Sequence, residues 1–116
     1  MNVYTLMIGT GVLALALSST VSSAGSTSVE PAQIAAAKTA ADHEAIAKAY
    51  EDEATELDLN AEMHERRTEI YKGAGKPAFA GQAKHCDALT NDLKAAANES
   101  RALATGHHKL AKAAGK

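Results

Sequence analysis

Small and apolar residues recur by threes and fours along two stretches of this chain, and one Gly73-Ala74-Gly75-Lys76-Pro77 break lies between them. That period belongs to helices packed side by side, so each stretch is expected to be a long helix. Only a turn separates them, which forces the second helix back along the first. The expected rows run through 40, 43, 47, 50, 54, 57, 61, 64, 68 and 71 on one helix. On the other they run through 79, 82, 86, 89, 93, 96, 100, 103, 107 and 110. Gly73 suits the residue after a helix ending near Lys72, and Pro77 suits a first helical position. The fold class expected is therefore all-α: a long antiparallel helical hairpin over residues 31–112, its helices covering 31–72 and 77–112, with the turn at 73–76.

The chemically distinctive residues obey the same register. His43 and His64 are 21 residues apart, as are Cys86 and His107, and three heptads keep each pair on one side of its helix, about 31 Å apart. In a hairpin whose facing residue numbers add to 150, His43 lies opposite His107 and His64 opposite Cys86. The centre of the Gly-Ala-Gly-Lys turn gives nearly the same sum. The register also pairs Tyr71 with Phe79, Ala61 with Leu89, Leu57 with Leu93, Ala54 with Ala96, Ala47 with Leu103 and Ala40 with Leu110. An offset of 43 residues aligns His43-Glu44-Ala45-Ile46 with Cys86-Asp87-Ala88-Leu89, a weak internal repeat in which a thiol stands where the first copy has an imidazole.

Two layers follow, and each offers metal ligands. Near the turn, His64, His85, Cys86 and Met63 combine imidazole with soft sulfur, a set suited to Cu(I), or to Zn(II) when the sulfur is a thiolate. Adjacent helical residues point about 100° apart, which works against His85 and Cys86 meeting on one ion. Cys86 is equally readable as a small buried hydrophobe or as the half of an interchain disulfide. At the open end, His43 and His107 face each other, His108 lies level with Asp42, and Glu44 is adjacent, a set suited to Zn(II), Cu(II) or Ni(II). The plainer account is that His107 and His108 lie near a helix C-terminus, where a cationic imidazole is favourable. Noncovalent haem between the facing histidines is a further candidate, but one Phe and a few Leu are little lining for it, and the covalent C-x-x-C-H motif is absent.

Charge excludes other classes. From Asp42 to Glu65 there are nine acidic residues and one basic; from Arg66 onward there are ten basic and four acidic. A hairpin lays these halves side by side, so opposite charges meet along its length. The basic residues are scattered and lack interleaved aromatics, which argues against nucleic acid, and the acidic stretch lacks the Gly-containing loop of a calcium hand. No catalytic motif is present, and a thiol in a helix seam has neither oxyanion donors nor an open cleft, so the chain is not expected to be an enzyme.

The N-terminus reads differently. Leu6 to Leu17 is an apolar run too short to span a bilayer, followed by Ser18-Ser19-Thr20-Val21-Ser22-Ser23-Ala24, with small residues placed for a peptidase. A signal peptide over 1–24 is expected, although Met1 to Thr5 has no Lys or Arg, and the mature chain would be periplasmic or secreted and not membrane-spanning. Residues 25–30 read as a short flexible lead and 113–116 as a short tail. The remaining 92 residues are rich in Ala, which favours helix but buries little area, so a homodimer forming a four-helix bundle is expected. Residues 31–37 overhang the register; a continuous first helix is expected there, with a kink or a fresh start near Asp42 as the alternative.

Overall fold

A computed structural model describes residues 28–115, and the expected signal peptide, the first half of the lead and Lys116 lie outside them. The chain forms a short helix α1 (Pro31–Ala36) and two long ones, α2 (Ala40–Gly73) and α3 (Pro77–Ala114), and α2 packs along α3 as an antiparallel hairpin. No strand occurs among the described residues, and no helix among them is long and apolar enough to cross a membrane.

The first helix is not continuous through 31–72. Thr39 starts α2 afresh: its Oγ1 accepts from the Asp42 backbone N–H at 3.1 Å, and the Asp42 carboxylate accepts from the Thr39 and Lys38 N–H groups at 3.0 and 2.9 Å. The chain has spent its side-chain hydrogen bonds on a capping box, which fixes a break that helix-rich composition alone conceals. These bonds to the ionised form hold the Asp42 carboxyl below its usual value. At the other end α2 runs through Gly73 to an Ala74 cap, and it is Gly75, at φ +61°, that supplies the left-handed residue of the turn. The stop expected at Gly73 therefore falls two residues later.

The register stands where it can be measured. His43 meets His107, and Tyr71 meets the Phe79 ring edge-on at 5.3 Å between centroids, both facing pairs of the expected sum. Every position of the expected α2 row is buried or half-buried. On α3 half of the row moves by one residue. Positions 79, 86, 93, 100 and 107 face inward, but Gln82, Leu89, Ala96, Leu103 and Leu110 are exposed, and Ala83, Thr90, Ala97, Ala104 and Ala111 are buried in their stead. The corrected partners of Ala61, Ala54, Ala47 and Ala40 are thus Thr90, Ala97, Ala104 and Ala111. Size explains the choice. The alternate positions of the α2 row are Ala40, Ala47, Ala54, Ala61 and Thr68, and small residues opposite small residues let the two backbones close up, whereas leucines there would hold them apart.

On one side of this seam the hairpin is closed by charge. Asp58 with Arg101, Glu65 with Lys94, and Lys72 with Asp87 at 3.8 Å pair across the helices, each a heptad from the last, and Glu51 with His108 continues the rail at 2.7 Å. These are the opposite halves of the charge distribution brought together. Being exposed and screened by solvent, each pair contributes little, so the rail sets register more than stability. Among the described residues the other side carries no such rail.

Candidate metal centre

At the open end, α2 contributes His43 and α3 contributes His107 from positions that face into the seam, and the two Nδ1 atoms are 3.1 Å apart. One ring nitrogen donates and the other accepts. The ring centroids are 5.3 Å apart, so the imidazoles meet almost end to end, and Tyr50, one heptad along α2, lies against His107 at 5.8 Å. Partial burial, and secondarily the neighbouring His43, push the His107 pKa below its ordinary value.

His108 turns the other way. Its Nδ1 is 2.8 Å from a Glu44 carboxylate oxygen and its Nε2 is 2.7 Å from Glu51, so a protonated ring donates from both nitrogens. The Glu51 bond, aided by Glu44, raises its pKa. His108 therefore belongs to the charged rail, and its partners are Glu44 and Glu51 instead of Asp42, whose carboxylate caps α2. Sequence order hides this: 107 and 108 are neighbours, yet one is a seam residue and the other an ion-pair residue.

The turn-end layer is less assembled. Cys86 is a free thiol, 8% exposed in the seam, and Thr90 Oγ1 donates to its carbonyl at 2.9 Å. His64 lies level with it, half-buried, and its Nδ1 is a buried side-chain polar atom without a hydrogen-bond partner. Such an orphan costs about 1–3 kcal/mol unless something outside the chain satisfies it. His85 and Met63 do not join the layer: both are exposed, and Met63 Sδ accepts from Arg67 at 3.4 Å.

Of the six expected ligands, then, the hairpin brings His43 and His107 into contact, sets His64 and Cys86 at one level, and sends His85 and His108 elsewhere. Among the described residues no group of three or more His, Cys, Asp and Glu side chains is gathered tightly enough to hold an ion. A cleft of about 690 Å³ lies toward the turn, lined by Glu65, Arg66, Thr68, Glu69, Ile70 and Asp87, without a histidine, so it is no pocket for a haem held between the facing imidazoles. Comparison with protein-family models, with curated proteins and with solved structures finds no match for this chain.

Proposed function

We propose that this is an exported, non-enzymatic helical protein that binds a divalent transition-metal ion, Zn(II) or Cu(II), at the open end of its hairpin through His43 and His107. The observation that carries this reading is the 3.1 Å approach of the two Nδ1 atoms. Two metal–imidazole bonds of ~2.05 Å span that distance at an angle of ~98°, between the tetragonal and tetrahedral values. The ion would replace the proton the rings now share. Because the rings meet end to end, each must swing by ~40° to aim its lone pair at a common centre, a rotation that a half-exposed side chain can make.

Calorimetric titration of the purified protein with Zn(II) and Cu(II) tests it. Saturable binding that His43→Ala and His107→Ala each abolish, and that His85→Ala leaves unchanged, is the expected result. No saturable binding, or equal binding by the His43→Ala/His107→Ala variant, would overturn it. The reading then left is a structural or adaptor hairpin without a cofactor, which the heptad-spaced ion pairs independently favour.

A further inference from the structure

The hairpin is finished on one side and open on the other. Going around α3, the rows follow in the order Leu89, Cys86, Thr90, Lys94, each neighbouring row separated by about 40–60° of rotation. The row beyond Thr90 carries the ion pairs, whereas the row beyond Cys86 carries Leu89, Leu103 and Leu110, exposed by 45%, 49% and 50%. Toward this second side point the large seam residues, His43, Leu57, His64, Leu93 and His107, all of them only half-buried. Met63 and Ile70 lie further round α2 on that side and are exposed as well. Three leucines spaced by heptad multiples beside a row of half-covered seam side chains form an apolar stripe along α3, bordered on α2 by Glu53, Asn60 and Arg67 and, at the open end, by α1 against Ile46.

We propose that a second copy of this chain covers that face, docked in phase so that the two turns lie at the same end of a four-helix bundle. Area fits this occupant: from the His43/His107 layer to the Tyr71/Phe79 layer the face is ~42 Å long, and two helices side by side make it ~18 Å wide, giving ~750 Å², close to the ~800 Å² that each partner of a stable dimer covers. The apolar residues match in phase. Met63 of one chain comes level with the partner's Leu89, both exposed within one hairpin.

The in-phase arrangement also completes what one chain leaves unfinished, and here the inference rests on the metal reading given above. A single hairpin offers an ion two imidazoles, and no third donor is gathered there among the described residues. A two-fold axis along the bundle brings a second His43/His107 pair to the same layer, four imidazoles in all. The same axis brings two His64 side chains to the other layer beside the two buried Cys86 thiols, a two-nitrogen, two-sulfur set of the kind tetrahedral Zn(II) or Cu(I) takes once the seam side chains re-orient toward the axis. An antiphase dimer would instead oppose the His43/His107 layer to Tyr71 and Phe79 and complete neither.

Sedimentation of the metal-free protein at micromolar concentration tests the dimer by itself. A dimer is expected, and Leu89→Lys with Leu103→Lys, both at exposed sites, should weaken it more than about a hundredfold while helicity by circular dichroism is kept. Spin labels on Lys76→Cys, in a Cys86→Ala background, then read the phase: within ~30 Å in phase, against ~50 Å if the turns lie at opposite ends. A chain that sediments as a monomer with and without Zn(II), a Lys double variant that still dimerises, or labels at the longer distance overturns the proposal. One zinc per two chains at the imidazole layer supports it. Zinc bound one-to-one by a monomer would remove the dimer and leave the two-histidine reading intact, whereas an in-phase dimer that binds no zinc would remove that reading and leave the dimer.

Discussion

Replacing Ala96 or Ala97 by Leu makes the same chemical change at adjacent positions of α3, and the two replacements should have very different consequences. Ala97 is 0% exposed, and its opposite number Ala54 is 1% exposed, so the helices touch there without room. Three added carbons must push the backbones apart or force a strained rotamer, at a cost of about 1–3 kcal/mol. Ala96 is exposed within one hairpin, and Leu is nearly as good a helix former as Ala, so Ala96→Leu should leave the hairpin's own packing within about 0.5 kcal/mol of the parent, any further shift from the proposed dimer face being recognisable by its dependence on protein concentration. With ~4–8 °C of midpoint shift per kcal/mol for a domain of this size, a typical loss of ~2 kcal/mol lowers the melting temperature of Ala97→Leu by ~8–16 °C. Far-UV circular dichroism during heating reads both. Equal shifts, or a larger loss for Ala96→Leu, would return the contact to the row through 82, 89, 96, 103 and 110 and refute the argument that size selected the other.

Two further outcomes follow from the caps and the histidines. Thr39→Ala removes the hydroxyl that accepts from Asp42 N–H, and should cost ~1 kcal/mol, read as a lower urea midpoint with an unchanged slope. His108 has a raised folded-state pKa, so its contribution is complete below its unfolded value of about 6.5 and is lost as pH rises through the folded value; Glu51→Gln should therefore destabilise the protein near pH 5.5 and leave it almost unaffected near pH 9. His107 has the opposite sign: its depressed pKa gives stability that is present above about pH 6.5 and is lost as pH falls toward the folded value, so His107→Gln should flatten the acid side of the stability profile measured by urea unfolding.

The hairpin, its turn and its register were legible because helical period, a Gly-Pro break and equal residue sums all describe the same geometry. His43 with His107 and Tyr71 with Phe79 met as the sums required. The α3 row was misread because hydrophobicity was weighed where size decides: Leu89, Leu103 and Leu110 look like core residues, yet a helix whose contact row is Ala47, Ala54 and Ala61 is best met by Thr90, Ala97 and Ala104. The sequence does contain that signal, as Ala or Thr recurring every seven residues on both helices. The break at Thr39 was legible too, since Thr39 and Asp42 have the spacing of a capping box, but the Ala-rich run before it masked the pattern. His85 and His108 resisted reading for a different reason. A one-residue step around a helix changes a side chain's surroundings entirely, so each adjacent pair, 85 with 86 and 107 with 108, divides between seam and surface.

The displaced leucines connect the packing to the chemistry. Choosing the small residues for the intrachain contact closes the two helices on their charged side, and the same choice turns the leucine row and the larger seam side chains toward the opposite side. The potential ligands His43, His64, Cys86 and His107 all sit in that larger-residue row. The three imidazoles are consequently not sealed within one hairpin but carried along the edge of its unfinished face, with Cys86 buried behind them, and among the described residues a single chain brings two donors, His43 and His107, into contact. A ligand set that is half complete in one chain and an apolar face that is uncovered in one chain are thus two results of one packing decision, and a second copy in phase is the arrangement that resolves both.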